Sequence, residues 1–476
     1  MDYNKMPVNP FNNFQFSWLP DRSKLKRPYY LTLANALEED IVSGKLASGT
    51  KLPPQRELAD YLDLNFTTVT QAYNLCRERK LIYGVTGRGT FVSPAPGMKR
   101  LYPDTPVPDL IELGLVKGFD RIKAPVIEAS KSVLQKGYID ELYSYADVAG
   151  HMHHRAAGAH WMKQMDVHTD SGHTAVFSGA QNIISTALLS LFRIGDKIAI
   201  DEYTYSNLIG LARLSHIRLV PVRGDEEGMC PDELEKVCRK GDVKGIFLMP
   251  NCANPTTCTI PEKRKDLLAA VIEKYKLILI EDNNTGLPLV TGEDYHSMFT
   301  RLPGQTIYIC NSTMALCSGL RVAFAAFPEV FRIPLLNALF HLNIKTSSLD
   351  AEIMTELILS GKAAKILEEK ALLARERNRI FDRYFPENAA PGTQEAFFRW
   401  LPIPETGMDE MEIERRLLRR GVSVYCSYRF TTLHQTKHFM RVAVSSPADE
   451  TLLEKGCSLI RDFLLENRRD TDSTQG

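Results

Sequence analysis

A proline-bearing stretch divides this sequence into two parts of very different size. Five prolines lie within the 17 residues from Ser93 to Asp109, and no apolar periodicity runs through them. Such a composition is typical of a semi-rigid linker between domains. The sequence therefore predicts an N-terminal segment at residues 1–92 with its core at 27–92, a linker at 93–110 and a C-terminal domain at 111–476.

The charge is unevenly distributed between these parts. Residues 1–100 contain 14 Lys and Arg against 9 Asp and Glu, an excess of five positive charges, and the rest of the chain carries the opposite excess. A basic segment on an acidic body favours contact of the N-terminal part alone with an anionic polymer. An ordinary solvated surface is the alternative, because five charges over 100 residues is a modest excess.

The sequence contains no feature of a membrane or disulfide-stabilised protein. Apolar runs such as 277–280 are far shorter than the roughly 18 residues of a membrane-spanning helix, and the first residues lack an apolar signal core. The nine cysteines include no Cys-x-x-Cys pair, which argues against a zinc ribbon. We expect a cytoplasmic protein with reduced thiols and no membrane partner.

Three helices followed by a hairpin are predicted in the N-terminal segment. Apolar residues recur at helical spacing over 29–43, from Pro54 onwards and over 66–79, and Asn65 is placed to cap the third helix. The inner face of that helix would carry Val69, Ala72, Tyr73 and Cys76. A short hairpin with Arg88 at its tip follows. This is the layout of a winged helix-turn-helix, whose second helix reads base edges in the major groove, although any surface helix has a polar outer face.

The run from residue 44 to residue 92 resembles the DNA-binding domain of the GntR regulators. That family shares patterns close to G-x-L-x-x-G-x-x-L-P-S-x-R-x-L-A, T-V-x-x-A-Y and G-x-G-T-F-V. The resemblance implies a double-stranded DNA operator as a partner. Pro54 replaces the usual serine and Phe66 replaces the arginine or polar residue common at the start of the recognition helix, so the operator sequence does not transfer. By resemblance, the residues at the DNA are Arg56, Thr67, Thr68, Thr70, Gln71, Arg88 and Gly89.

The C-terminal domain has the pattern of an α/β fold. Short apolar runs at 197–200, 245–249 and 276–280 are typical of buried strands, and helical patterns separate them. This alternation predicts a mainly parallel sheet covered by helices. A smaller C-terminal lobe is expected from about residue 335.

Several motifs of this domain resemble those of fold-type I aminotransferases, which hold pyridoxal phosphate as a lysine aldimine. The residues Ser178, Gly179, Ala180 and Gln181 resemble the loop that binds the cofactor phosphate at a helix N-terminus. Tyr205 matches the tyrosine that stacks on the pyridine ring, and Asn254 matches the asparagine that binds the phenolic oxygen.

Two further positions concern the pyridine ring. Asp282 matches the aspartate that pairs with the ring nitrogen and keeps it protonated, which makes the ring an electron sink. Asn284 stands where the family has a tyrosine, and this change weakens the phenolate side of the site.

The segment from Tyr308 to Arg321 resembles Y-x-G-[ST]-F-S-K-x-L-x-P-G-L-R with its lysine missing. Aligned on the final Gly-Leu-Arg, the lysine position holds Met314, and no lysine occurs between residues 276 and 345. A thioether forms no Schiff base and supplies no base for transamination, so we expect neither a covalent aldimine nor enzyme activity. Arg321 remains to hold a phosphate or another anion, helped by Asn311 in place of the usual serine or threonine.

Other residues resemble substrate and subunit contacts of the same family. Arg441 matches the arginine that grips a substrate carboxylate, a role suited to its fork of donors. Tyr145 and Gly150 lie in a segment that resembles Y-x-D-x-x-G, which crosses between subunits. Three neighbouring histidines, at 151, 153 and 154, could suggest a metal site, but no fourth ligand stands at suitable spacing, so no metal is expected.

A GntR head joined by such a linker to an aminotransferase-like domain is the arrangement of the MocR subfamily. The resemblance implies a regulator of transcription that forms a domain-swapped homodimer and whose body binds a small anionic effector. Either pyridoxal phosphate binds non-covalently, or a different anion has replaced it, which we favour. The alternatives are a working aminotransferase with an unidentified lysine and a purely structural dimer. The pocket residues are Ser178, Gly179, Ala180, Gln181, Tyr205, Asn254, Asp282, Asn284, Asn311, Met314, Arg321 and Arg441.

Overall fold

The chain, seen here in a computed structural model, divides into two compact units. These are Met1–Thr105, here called the head, and Pro106–Gly476, here called the body. The structure describes residues 17–42, 45–46, 49–79, 81–85, 88–93, 110–283, 296–388, 394–433 and 438–468. The predicted linker therefore lies almost wholly outside the described residues.

The head consists of three helices and a hairpin. They are α1 (Tyr29–Val42), α2 (Gln55–Tyr61), α3 (Phe66–Glu78), β1 (Ile82–Val85) and β2 (Gly89–Val92). The predicted cap of α3 is confirmed, because the Asn65 side chain accepts a 2.9 Å hydrogen bond from the backbone N–H of Thr67. The predicted inner face of α3 is also confirmed. Val69, Ala72, Tyr73 and Cys76 are all buried in the core of the head.

The body contains the strands and helices of the predicted α/β fold. Its described strands are β3 (Ile111–Glu112), β4 (Thr174–Phe177), β5 (Lys197–Asp201), β6 (Arg218–Val222), β7 (Gly224–Asp225), β8 (Gly228–Met229), β9 (Val243–Leu248), β10 (Ile278–Asn283), β11 (Thr306–Cys310), β12 (Ala323–Ala326), β13 (Arg399–Pro402), β14 (Val422–Ser423), β15 (Tyr425–Cys426) and β16 (Phe439–Val442). Its described α-helices are α4 (Ala124–Leu134), α5 (Met152–Lys163), α6 (Ala180–Leu191), α7 (Ser206–Leu214), α8 (Pro231–Lys240), α9 (Glu262–Lys274), α10 (Met298–Arg301), α11 (Ser312–Ala315), α12 (Glu329–Asn343), α13 (Ser348–Leu359), α14 (Lys362–Tyr384), α15 (Glu410–Arg419) and α16 (Glu450–Asn467).

The main sheet of the body is mostly parallel, as the sequence predicts. Over the described residues its strand order is β4-β12-β11-β10-β9-β5-β6. Five neighbouring strands pair in parallel, in the order β11, β10, β9, β5 and β6. In contrast, β12 is antiparallel to both β11 and β4. Apolar clusters line the sheet on both sides, which explains why its strands are nearly continuous hydrophobic runs.

A smaller antiparallel sheet, β13-β16-β15, marks the C-terminal lobe. The sequence predicts this lobe from about residue 335, and that boundary stays a prediction. Leu335 and Leu339 of α12 pack into the core of the main sheet, and the separate core of the lobe begins at Ile380 within α14. Ile111 also joins this later core, because β3 pairs in parallel with β14. Helical periodicity shows that a helix has an apolar face but not which sheet that face covers.

None of the described helices combines the length and the apolarity that passage through a lipid bilayer requires.

Candidate functional site

The residues of the head that are predicted to face DNA differ in their solvent exposure. Arg56, Thr67 and Gln71 are exposed, whereas Thr68 and Thr70 are half-buried. The Thr70 hydroxyl donates to Gln55 Oε1 at 2.9 Å and so ties α3 to α2. The Thr67 hydroxyl donates to Asn65 Oδ1 at 2.9 Å within the helix cap. Their oxygens can still accept hydrogen bonds, but their hydroxyl protons are already engaged.

Phe66 occupies the exposed start of the recognition helix. Its ring is 43% exposed, and the guanidinium of Arg56 lies 5.7 Å from the ring centre. A cation over an aromatic face is held electrostatically. Arg56, the arginine of the P-S-x-R-x-L-A pattern, therefore lies beside the position at which an arginine or polar residue is common in the family.

A second cation, Lys51, lies beside the hairpin, and the sequence motifs do not indicate it. Gly89 has φ +117°, and a Cβ added there would meet Lys51 Cε at 2.9 Å. Lys51 also forms a β-bridge with Phe91. Lys51 therefore lies beside Gly89 on the wing. The bridge and the backbone hydrogen bonds between residues 49–52 and β2 bring it there.

In the body, the phosphate-loop motif and Arg321 meet at the start of α6. Gly179 precedes the helix with φ +89°, and a Cβ added there would lie 2.7 Å from Arg321 Nη2. Ser178 Oγ accepts a 2.6 Å hydrogen bond from Asn343 Nδ2. Ala180 and Gln181 form the first turn of α6, where free backbone N–H groups and the helix dipole favour an anion.

Asp282 is a buried carboxyl at the end of β10. It is 3% exposed, and its Oδ1 has no hydrogen-bond partner among the described residues. Burial raises the pKa of Asp282 to about 7. An acid without a partner in such a place favours a ligand that supplies a hydrogen-bond donor or a positive charge.

Tyr205 lies close enough to Asp282 for the carboxylate charge to affect the pKa of the tyrosine. Burial raises the pKa of Tyr205 to about 12, and the negative charge of Asp282 adds to the shift, while Arg441 and Arg321 oppose it. The Tyr205 hydroxyl accepts a 3.0 Å hydrogen bond from Asn207 Nδ2. One aromatic ring, one carboxyl and two arginines thus share one electrostatic environment.

Arg441 and Asn254 are bound to each other. Arg441 donates from Nη1 to Asn254 Oδ1 at 2.7 Å and from Nη2 to the Gly114 carbonyl at 2.6 Å. The guanidinium is 4% exposed and lies against aromatic rings, the nearest being Phe430 at 4.7 Å. Burial lowers the pKa of Arg441 to about 10. Within the described part of the chain its Nε has no hydrogen-bond partner, and its two other nitrogens donate to an amide and a carbonyl rather than to a carboxylate.

Met314 lies in the short helix α11, at the end of β11. Asn311 caps this helix by accepting a 3.1 Å hydrogen bond from the backbone N–H of Thr313. The partly buried Met314 side chain packs against the apolar core. Asn284, the remaining predicted pocket residue, lies outside the described residues.

A lysine from a distant part of the sequence reaches the backbone of this segment. Lys370 comes from α14 and is 2% exposed. Its Nζ donates to the carbonyls of Met314 and Leu316, both at 3.0 Å, and burial lowers the pKa of Lys370 to about 8. The motif spacing could not reveal Lys370, because it lies more than fifty residues further along the chain.

Comparison with known families identifies both parts of the chain. Residues 29–92 match the model of bacterial regulatory proteins of the gntR family, and residues 116–460 match that of aminotransferase class I and II. A relative from Bacillus subtilis (strain 168), the HTH-type transcriptional regulator YdeF, is 33% identical over 461 residues, which covers 96% of this chain and 99% of YdeF. The chain belongs to the MocR-like GntR regulators.

Another relative of this regulator carries a more specific name. It is the vitamin B6 salvage pathway transcriptional repressor PtsJ of Salmonella typhimurium, 26% identical over 61% of this chain and 66% of PtsJ.

Solved structures show that the body of this regulator has the aminotransferase fold. An archaeal alanine:glyoxylate aminotransferase matches with a TM-score of 0.69 at 20% identity, over 75% of this chain and 91% of that one. LysN, an α-aminoadipate aminotransferase of Thermus thermophilus complexed with N-(5'-phosphopyridoxyl)-L-leucine, matches with a TM-score of 0.68 at 20% identity, over 75% and 93%.

Proposed function

We propose that this protein is a DNA-binding regulator of transcription whose body binds a small anionic ligand, forms no covalent bond to pyridoxal phosphate and joins two copies of the chain. The observation that carries this proposal is the packing of Arg321 against Gly179 at the start of α6. A guanidinium beside free helix amides is a preformed place for a phosphate or another anion.

The residues of the body fit pyridoxal phosphate only in part. Arg321 and the amides after Gly179 suit its phosphate, and the unpartnered Oδ1 of Asp282 suits its ring nitrogen. When bound, this cofactor supplies an electron sink. However, Met314 offers no amine, and Asn254 already accepts from Arg441. The set therefore supports a non-covalent phosphate ligand, and we favour an anion other than the cofactor.

A working aminotransferase is the second candidate, and Lys370 is the observation that favours it. Its pKa of about 8 leaves part of the amine neutral near neutral pH, as a nucleophile requires. Against this candidate, both carbonyl contacts of Lys370 hold its Nζ at the backbone of α11. We assign Lys370 the role of positioning that segment.

Pairing of two bodies is supported by exposed apolar side chains around the Y-x-D-x-x-G segment. Tyr145 is 86% exposed, and Tyr143 and Met152 are 68% and 70% exposed. Exposed aromatic groups clustered in this way favour burial by another protein surface. A symmetric dimer would present two recognition helices to two half-sites, and a ligand that favours one arrangement would change operator affinity.

Selection of genomic DNA fragments on the purified protein tests the proposal. We expect enrichment of a sequence with two related half-sites, and loss of the enrichment in a Gln71→Ala/Arg88→Ala variant. Inorganic phosphate, pyridoxal phosphate and dicarboxylates are then added to the selected fragment, and at least one is expected to shift its affinity. Equal retention of all fragments would refute sequence-specific DNA binding. If no anion changes the affinity for the selected fragment, the ligand-binding part of the proposal fails and a purely structural dimer remains.

A further inference from the structure

Two of the three neighbouring histidines meet a glutamate from a distant part of the chain. His153 and His154 lie on α5, and Glu352 lies on α13. The Nε2 atoms of His153 and His154 lie 2.6 and 2.7 Å from the same oxygen, Glu352 Oε2. The sequence predicts no metal here because no fourth ligand stands at suitable spacing, and the structure adds Glu352 to two of the histidines from another helix.

The two oxygens of Glu352 have separate partners. Oε1 accepts from Lys136 Nζ at 2.8 Å and from the Tyr138 hydroxyl at 2.9 Å, whereas Oε2 faces the two imidazoles. This is the arrangement of a metal-binding carboxylate, in which outer partners orient one oxygen and leave the other for the ion. Lys136 can therefore remain in place when a cation binds at Oε2.

The burial of Glu352 suits a cation. The carboxyl is 1% exposed, and donors lie within hydrogen-bond distance of both of its oxygens. Burying a carboxylate is costly unless it is paired, and Lys136 provides such a partner at Oε1. A cation at Oε2 would complete the compensation on the other oxygen.

The cluster is closed on one side and open on the other. His154 is fully buried, whereas the His153 side chain is 49% exposed. A half-exposed ring can move, and tetrahedral zinc bonded at about 2.0–2.1 Å requires each Nε2 to lie roughly 0.7 Å further from Oε2 than it does here. His151 stands next to the pair, with its ring 5.1 Å from that of His154 and a buried Nε2 that has no hydrogen-bond partner in the described ranges.

We propose that His153, His154 and Glu352 form a zinc site, in which water takes the fourth position at the exposed side. Two imidazoles, one carboxylate and water are a set that zinc binds tetrahedrally. The ion would replace the protons now shared between the imidazoles and Oε2. It would also join α5 to α13 directly after the Y-x-D-x-x-G segment.

Zinc binding to the tag-free protein tests this site. After dialysis against EDTA, Zn²⁺ is added, unbound ion is removed, and retained zinc is measured by mass spectrometry. We expect about one zinc per chain for the wild type and for His160→Ala, a control histidine that is exposed on the same helix. His153→Ala should lose the zinc, and its half-exposed ring makes misfolding no concern.

An outer-partner variant and a stability measurement sharpen the test. Tyr138→Phe keeps all three ligands but loses the hydrogen bond to Oε1, and should weaken zinc affinity about tenfold or more. Zn²⁺ should raise the melting temperature of the wild type and leave that of His153→Ala unchanged. Equal zinc retention by the wild type and His153→Ala, or loss of zinc in His160→Ala, would overturn the site and leave a hydrogen-bonded cluster.

Discussion

At the scale of single residues, Asp282 gives the pocket a pH dependence. Burial raises the pKa of its carboxyl to about 7, whereas an unfolded chain has an aspartate pKa of about 3.9. The folded state therefore binds this proton more tightly than the unfolded state, and stability is lost as the pH rises between these two values.

Asp282→Asn removes this titration. The variant should match the wild type below pH 4 and exceed its free energy of unfolding by about 2–4 kcal/mol at pH 8. Urea denaturation at the two pH values measures the difference. If the difference in the free energy of unfolding between Asp282→Asn and the wild type is the same at both pH values, the raised pKa of Asp282 is contradicted.

Gly179 makes the approach of Arg321 to the loop possible. Gly179→Ala would place a Cβ 2.7 Å from Arg321 Nη2 and would force an L-residue to φ +89°. We expect affinity for phosphate-bearing ligands to fall at least tenfold, as measured by calorimetric titration with pyridoxal phosphate. The matched control is Gly210→Ala, where the added Cβ meets no atom within 4 Å. Unchanged affinity in Gly179→Ala would remove Arg321 from the anion site.

At the scale of elements, the wing should contribute to DNA binding through charge. Arg88 is exposed at the start of β2, so Arg88→Ala should weaken binding to all sequences and lower the slope of log K against log salt by about one. Arg213→Ala, an exposed arginine on α7 of the body, is the control. A normal slope in Arg88→Ala would contradict the wing assignment.

At the scale of elements, sequence patterns predict local structure but not the contacts between distant elements. Local signals gave α3 with its Asn65 cap and buried face, because capping and helical periodicity depend on neighbouring residues. Patterns could not give Lys51 on the wing, Lys370 under α11 or Glu352 at the histidines. Each of these side chains reaches its neighbours through tertiary packing of elements that are far apart in sequence.

At the scale of the whole molecule, the fold class was predictable, whereas the residues that share each hydrophobic core were not. Alternating buried runs and helical patterns predicted the mainly parallel sheet. The smaller lobe, however, has its core from Ile380 onwards and takes Ile111 from the start of the body. A strand contributed by the opposite end of the domain is not visible in local periodicity.

Self-association is a further property of the whole molecule. We expect sedimentation to give twice the chain mass of 53.7 kDa. Replacing Met152, which is 70% exposed, by glutamate should shift the protein towards monomer. The matched control is Leu465→Glu on α16, a residue that is 63% exposed. A wild type that stays monomeric at micromolar concentration would contradict the dimer.

The measurement that most directly tests the central claim is a visible absorbance titration with pyridoxal phosphate. It compares the wild type, Met314→Lys and Lys370→Met. If the pocket kept the aminotransferase fold but lost its lysine, the wild type shows no absorbance band of lysine-bound cofactor and Met314→Lys gains one. A band in the wild type would contradict the account, and its loss in Lys370→Met would show that Lys370 is the missing amine.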